Sequence, residues 1–351
     1  MSDNSFLEKK REYWLNRLSG NIGFDADNAS QYEKRDFIRL TDFTAGELEA
    51  LIEFAEKIKS GKDTNKYLLD KMVGLMFGVP STRTRISFHA GINQLGGAYD
   101  YYNTRDMQLA YKESLIDTIE VMNRYIDALV VRMYDMKEYG KGHESMSLLA
   151  ERGTIPIING LDDKEHPCQV LGDILTIKEK FGQDYKNKKV VFTWGYSWRQ
   201  KSPGVPHSMM AAASLLGMNI TFAYPEGFDL DKQYVDFATK AVEQSGGRLE
   251  FKNDLKEASE NADVIYVKSW KALYLDNEED KRIRKETRDQ WCVTGEHFKL
   301  ANPGAIFMNC LPIIREEQAT ADVIDGKHSV IYDEAENRLH IQKAIMAALV
   351  R

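Results

Sequence analysis

"KMVGLMFGVPSTRTRISFHAGINQL", Lys71 to Leu95, is the stretch on which the fold turns. "KMVGLMFG" is a short apolar run that stops at glycine and proline, the mark of a buried strand. Phe88, Ile92 and Leu95 then recur at helical spacing until "GG" closes the segment. Between strand and helix stand Ser81, Thr82, Arg83, Thr84 and Arg85. The backbone N–H groups at a helix start have no intrahelical partner, and the helix dipole favours an anion there. Three hydroxyls add donors, and two guanidinium forks match the shape of a phosphate. An ordinary capped helix with two surface arginines is the alternative, and the position just after a buried strand favours phosphate.

The same strand–helix alternation runs outward in both directions. Residues 1–34 are charged and weakly patterned, and are read as an N-terminal helix and a loop. Thr44 precedes Glu47 by three residues, a capping-box spacing, and Leu48, Leu51, Ile52, Ala55 and Ile58 continue as a helical stripe. A helix is expected over Ser114 to Tyr125, with strands in "IDALVVRMY" and "IPIING". In the second half "KKVVFTWGY", "NITFAYPEG", "ADVIYVKSW" and "GAIFMNCLP" read as strands. "PHSMMAAASLLGM", "YVDFATKAVEQSGG" and the tail "DEAENRLHIQKAIMAALV" read as helices. Such alternation predicts α/β architecture, with two parallel-sheet α/β domains. Ligands in such sheets bind beyond the carboxyl ends of the strands. There the chain places "PSTRTR", "VVRMY", "WGYS", "VKSW" and "NCLP".

Bulk properties narrow the classes. A chain of 351 residues suits two domains of about 150 each. A net charge of −7 argues against general nucleic-acid binding, so any anion site must be a local concentration of positive groups. The three cysteines, Cys168, Cys292 and Cys310, are scattered and form no CxxC pair, which disfavours a zinc knuckle or a disulfide framework. The start "MSDNSFLEKKREYW" cannot be a secretory apolar region, and no apolar run nears the ~20 residues of a membrane span. The expectation is a reduced, cytoplasmic protein without membrane or nucleic-acid partners. With no GxGxxG turn, GxxxxGK[ST], HExxH or carboxylate cluster, no cofactor and no metal are expected.

Other polar clusters could carry chemistry. In "HPCQ", His166 can donate to a polarised carbonyl and Gln169 can accept from an NH2 group; a capping or structural histidine is the alternative. In "NCLP", Asn309 to Pro312, backbone carbonyls before the proline can accept from a ligand N–H, or the strand simply stops there. "VKSW" puts Lys268, Ser269 and Trp270 at a strand end; an exposed lysine and a rim aromatic are the alternative. Arg338 lies near Glu334 and Glu336, where an ordinary helix ion pair would also account for it.

Taken in order, these clusters resemble the aspartate/ornithine carbamoyltransferase family. "STRTR" looks like its carbamoyl-phosphate motif, "HPCQ" its His-Pro-x-Gln motif and "NCLP" its His-Cys-Leu-Pro motif. "QLAYKESLIDTIEVMNRYIDALVVR" resembles the segment between the first two, and the likeness runs from about Arg35 to Arg351. The second half looks closest to the branch acting on N-acetylornithine or N-succinylornithine, through "FTWGYSWRQKSPGVPHSMM", "ADVIYVKSW" and the final helix. Three features depart from the pattern. Asn309 stands for the usual histidine, "NTRDMQLAYKES" looks like the ornithine or putrescine type, and Tyr111 and Lys112 replace an Arg/Lys-Gly pair.

The resemblance implies a carbamoyltransferase fold. Its carbamoyl-phosphate domain would be 1–165 plus 335–351 and its amine-substrate domain 166–334, with a deep trefoil knot where "SWRQKSPGVPHS" is threaded. It also implies roles. Ser81, Thr82, Arg83 and Thr84 hold the phosphate and Arg85 braces the loop. Arg132 and His166 donate to the carbamoyl oxygen, while Gln169 and the backbone near Cys310 and Leu311 hold the carbamoyl NH2. Arg338 reaches the site from the final helix. Trp194, Lys268, Ser269 and Trp270 face the amine substrate, and Gln108 enters a neighbour's site in a homotrimer with shared active sites. The expected reaction moves the carbamoyl group from carbamoyl phosphate to the side-chain amine of ornithine or an N-acylated ornithine. A diamine acceptor such as putrescine, or a catalytically silent family member, is the alternative.

Overall fold

The computed structural model describes residues 34–350. The N-terminal helix and loop expected over 1–34 fall almost wholly outside the described residues. The chain divides into two compact units. Unit 1 takes in residues up to Asp135, Gly140–Asp162 and Arg338–Arg351; unit 2 takes in Met136–Tyr139 and Asp163–Asn337.

Unit 1 is built on a four-stranded sheet, β1 (Met72–Phe77), β2 (Ala98–Asn103), β3 (Ala128–Arg132) and β4 (Ile157–Leu161), in the order β2-β1-β3-β4. Every pairing is parallel. The two central strands are apolar on both faces because helices cover both. Ile119, Met122, Leu129, Val131, Met146, Leu149 and Ile157 form one buried cluster. Helix Ala45–Lys59 starts on the expected capping box, with Glu47 N–H bonded to Thr44 Oγ1 at 3.3 Å and Thr44 N–H to the Glu47 carboxylate at 2.7 Å. Gly91 lets the final helix approach helix Arg83–Gln94, since a Cβ there would meet Lys343 Cγ and Met346 Cε at 3.2 Å.

Unit 2 holds β5 (Lys189–Trp194), β6 (Asn219–Ala223), β7 (Arg248–Lys252), β8 (Val264–Lys268) and β9 (Ile306–Met308), in the order β7-β6-β5-β8-β9 and again all parallel. Helix Gly204–Leu215 is buried along its first eleven residues, which explains its run of Ala211, Ala212 and Ala213: small side chains let it pack on all sides. Its first residue, Gly204, sits on the backbone of Glu165, where a Cβ would lie 2.9 Å from the Glu165 carbonyl carbon. Lys232–Ser245 ends on Gly246 at φ 78°, the left-handed glycine stop that the sequence predicts.

Both sheets reverse their winding beside the first strand of the unit. The reversal lies between β1 and β3 in unit 1 and between β5 and β8 in unit 2. At such a point successive crossovers leave in opposite directions and open a crevice beyond the strand ends. The loops after these four strands are "GVPSTRTR", "MYD", "GYSWRQKSPG" and "SWKA".

Candidate active site

In unit 1 the loop after β1 turns directly into helix Arg83–Gln94. Gly78 N–H bonds the Arg132 carbonyl at 2.9 Å, tying the exit of β1 to the end of β3. Ser81 Oγ accepts from Thr84 N–H at 3.3 Å, and the helix starts without a side-chain bond from Thr82. Thr82 and Arg85 are exposed, Ser81 and Arg83 half-buried, and Thr84 buried. The Arg85 guanidinium lies 3.9 Å from the centre of the Tyr101 ring on β2. That cation–π seat fits a residue that braces the loop.

The β3–β4 register shifts between Val131 and Arg132, so that Asn159 faces Val131 while Leu161 faces Arg132 and the extra residue, Gly160, lies on β4. Such a bulge bends the strand that carries it. Arg132 Nη1 lies 3.5 Å from Thr84 Oγ1 and 3.4 Å from the Gly160 carbonyl. Unit 1 thus gathers three guanidinium groups, three hydroxyls and a helix N-terminus at one sheet end, a combination suited to a phosphate ester. Gln108 opens the short turn Gln108–Tyr111 and is exposed. Arg338 is buried to 4% exposure in the final helix.

Unit 2 is organised differently. His166 caps helix Pro167–Phe181 from outside, with Pro167 at its first position. His166 N–H bonds Ser208 Oγ at 2.9 Å, and that hydroxyl donates to the buried Glu165 carboxylate at 2.9 Å. Tyr234 OH holds the other Glu165 oxygen at 3.0 Å. The Gln169 amide donates from Nε2 to Asp173 Oδ1 at 2.7 Å, which directs its N end to that acid. Asn309, standing for the family's histidine, bonds the Val267 carbonyl through Nδ2 at 2.7 Å and accepts from Leu311 N–H through Oδ1 at 2.7 Å. It therefore ties the end of β9 to β8 and shapes the Cys310–Leu311 turn, which closes on a cis Leu311–Pro312 bond.

At the unit 2 reversal, Trp194 and Lys268 are direct register partners. Lys268 is half-buried, and its ammonium donates to the Ser269 carbonyl at 3.0 Å. The other three residues expected to face the amine do not offer side chains. Trp194 and Trp270 have 0% exposure and Ser269 has 2%. The Trp194 indole donates to the Trp270 carbonyl at 3.1 Å, and the Trp270 indole to the Phe228 carbonyl at 2.8 Å. Burying an indole requires a partner for its N–H, and here these partners lie inside unit 2. The rim-aromatic alternative for Trp270 fails for the same reason.

What holds these strand ends is a residue that the sequence reading passed over. Arg284 is 3% exposed. It is paired with Asp280 at 2.9 and 3.1 Å and donates to Ser269 Oγ and the Trp270 carbonyl, each at 3.0 Å. The i,i+4 spacing of Asp280 and Arg284 is a signal, but it is hidden in "NEEDKRIRKE" among exposed pairs of the same spacing, such as Arg282–Glu286.

Comparison with known proteins also finds two parts, but with the boundary between residues 179 and 186, beyond the start of the main segment of unit 2 at Asp163. Residues 35–179 match the family model for the aspartate/ornithine carbamoyltransferase carbamoyl-P binding domain, and residues 186–349 the model for its Asp/Orn binding domain. The chain belongs to the aspartate/ornithine carbamoyltransferase family. Ornithine carbamoyltransferase of Methanosphaera stadtmanae is 40% identical over 300 residues, spanning 86% of this chain and 94% of that protein. The Thermococcus kodakarensis ornithine carbamoyltransferase is 40% identical over 319 residues, spanning 90% and 96%. Among solved structures, ornithine carbamoyltransferase from Pyrococcus furiosus superposes with a TM-score of 0.80 at 38% identity, covering 91% of this chain and 97% of that one. An acetylornithine transcarbamylase complexed with acetylcitrulline gives 0.84 at 34%, covering 90% and 99%. No helix among the described residues is long and apolar enough to cross a membrane.

Proposed function

We propose that the protein transfers the carbamoyl group of carbamoyl phosphate to the side-chain amine of ornithine or an N-acylated ornithine and releases phosphate. The observation that carries this is the "STRTR" helix start beyond β1, with Arg132 beside Thr84 at the end of β3, inside the segment that matches the carbamoyl-P binding model. Arg83, Ser81, Thr82 and Thr84 hold the phosphate, and Arg85 braces their loop. Arg132 and His166 donate to the carbamoyl oxygen and stabilise the oxyanion; one such donor is worth ~10²–10³ in rate. Gln169 and the carbonyls of Cys310 and Leu311 accept from the carbamoyl NH2. The neutral amine attacks the carbamoyl carbon, the bond from that carbon to the phosphate oxygen breaks, and the departing phosphate takes the proton of the new C–N link. Positioning supplies the remaining acceleration.

Lys268 faces the carboxylate or acyl group of the acceptor and disfavours the second ammonium of a diamine. Identity to the curated relatives supports ornithine, and the slightly higher TM-score supports an acylated form. Phosphate release from carbamoyl phosphate with ornithine, N-acetylornithine, N-succinylornithine and putrescine tests this reading. Release with an ornithine-type acceptor is expected, and none with any of the four would overturn it.

The family likeness also supports a cytoplasmic homotrimer of amino-acid biosynthesis in which the exposed Gln108 completes a neighbour's site, Arg338 serves its own, and unit 2 is knotted where Gly204 crosses Glu165. Mixing Gln108→Ala chains with Arg83→Ala chains should restore part of the activity, because some trimers then contain one intact site. No recovery after verified subunit exchange would count against sharing.

A further inference from the structure

Behind Gln169 lies a polar cluster that the chemistry above does not use. Asp173 stands one turn further along helix Pro167–Phe181, Tyr266 comes from β8, Asn309 follows β9, and Glu334 lies in the first turn of helix Ile331–Leu349. Asp173, Tyr266 and Glu334 are wholly excluded from solvent. Gln169 Nε2, already bonded to Asp173, lies 3.5 Å from Glu334 Oε1. The Tyr266 hydroxyl is 3.1 Å from Asp173 Oδ2 and 3.2 Å from Glu334 Oε1. Asn309 N–H donates to Glu334 Oε2 at 2.9 Å. The Tyr266 hydroxyl and the Gln169 amide thus each stand between the two carboxyl groups.

An ionised carboxylate only accepts hydrogen bonds, and Tyr266 has one hydroxyl hydrogen for the two carboxyl groups beside it, so a hydrogen is needed on one of them. It belongs on Glu334. Among the described residues, the groups hydrogen-bonded to Glu334 are the Gln169 amide, the Tyr266 hydroxyl and the Asn309 backbone, none of them a cation. Burial, and then the negative charge of Asp173, raises the Glu334 carboxyl well above the usual range. The same burial raises Tyr266, which also borders Cys310. The cations on these helices are Lys178, Lys180, Arg338 and Lys343, and none of them is hydrogen-bonded to Glu334; Lys180 pairs with Asp333 at an exposed position, Lys343 bonds Gln94, and Asn337 bonds Thr176 and Glu179. Since Oε2 accepts from Asn309, the hydrogen sits on Oε1.

We propose that Asp173 and Glu334 share one proton and act as positioning residues. They turn the N end of Gln169 inward, leave its carbonyl end for the carbamoyl NH2, and fix the Asn309–Leu311 backbone beside it. The part that concerns the carbamoyl group rests on the function proposed above; the shared proton does not.

Glu334→Gln keeps a donor in place of Oε1 and an acceptor in place of Oε2, whereas Glu334→Ala removes both. Glu334→Ala should lower kcat/KM for carbamoyl phosphate by ~10²-fold, and Glu334→Gln should stay within about 5-fold of wild type. The infrared difference between wild type and Glu334→Gln should contain the carbonyl stretch of a protonated carboxyl group. Melting gives a third readout with a definite sign. Glu334 is protonated when folded and ionised at neutral pH when unfolded, so wild type should lose stability relative to Glu334→Gln as pH rises above the ordinary carboxyl value of 4.5. An absent protonated-carboxyl band, or a melting difference of opposite sign, would overturn the shared proton. A Glu334→Ala enzyme with full activity, or a Glu334→Gln enzyme no better than it, would overturn the positioning role. If wild type transfers carbamoyl to no acceptor, the functional reading fails, while the band and the melting difference still decide the proton.

Discussion

The loop after β1 and the loops after β5 and β8 occupy the same place in their sheets and reach opposite solutions. In unit 1 the polar groups come from consecutive residues and are partly exposed: Thr82 and Arg85 are open and Arg83 is half-buried. In unit 2 they come from distant segments and are mostly sealed, with Gln169 at 1%, Ser269 at 2%, Asn309 at 2% and Arg284 at 3% exposure. Under the function proposed above, the ligand chemistry accounts for the difference. A phosphate is recognised by charge, which arginine forks deliver even beside water. A neutral NH2 group is recognised by acceptors whose direction matters, and direction needs a packed network behind it.

That contrast can be broken by experiment. The largest effect should come from Arg83→Ala, which removes a charged fork from the phosphate. Turnover should fall on the order of 10⁴-fold, with a raised carbamoyl-phosphate requirement and an unchanged fold. Near-normal kinetics would remove the phosphate from "STRTR". In unit 2 the matching change should strike stability first. Asp280→Asn leaves Arg284 buried without its counter-charge, at a cost of about 3–5 kcal/mol. Four of the five tryptophans, Trp194, Trp198, Trp270 and Trp291, lie in unit 2, so indole fluorescence in denaturant reports mainly on it. A loss below about 1 kcal/mol would show that the strand ends hold without this pair.

A third test uses pH. Burial pushes the His207 imidazole down to about 4, against the opposing influence of Asp231. Asp231 N–H donates to His207 Nε2 at 3.0 Å, and Nδ1 lies 3.1 Å from the Lys164 carbonyl, so the folded ring is held neutral. The unfolded ring titrates near its ordinary value of 6.5. The stabilisation is therefore complete above that pH and is lost as pH falls through the folded value. It amounts to on the order of 3 kcal/mol. His207→Gln should flatten the acid limb of the unit 2 stability curve, and an unchanged limb would assign acid sensitivity elsewhere. The smallest effect concerns Lys268. Lys268→Met should lower kcat/KM about 10–100-fold for acceptors bearing a carboxylate and leave putrescine little changed. Putrescine as the best wild-type acceptor would reverse the role given to Lys268.

Legibility followed burial and locality. The central strands β1, β3, β5 and β8 are apolar runs because both faces are covered, and they read directly. The edge strands β2 ("AYDYYN") and β7 ("RLEFK") went unread because a half-exposed edge need not be apolar. Helix Asn277–Glu286 hid its two buried residues, Asp280 and Arg284, inside a charged surface pattern. Trp194 and Trp270 were placed at the correct strand ends and given the wrong exposure. A residue's position along a strand is local, but whether its ring turns out or in depends on neighbours such as Phe228 and Arg284.

The sequence by itself determined the α/β class, the phosphate-type helix start at Ser81–Arg85 and the order of motifs that marks the family. Each strand, helix and motif behind these readings is carried by residues within one turn or one strand of each other, where chain geometry leaves few arrangements. Only the tertiary structure decided that Arg132 meets the Gly160 carbonyl, that Asn309 joins β9 to β8, and that Tyr266 and Glu334 flank Gln169 and Asp173. Those facts depend on groups brought together from far along the chain. Excluded from water, each such group must find its hydrogen-bond partner within the fold.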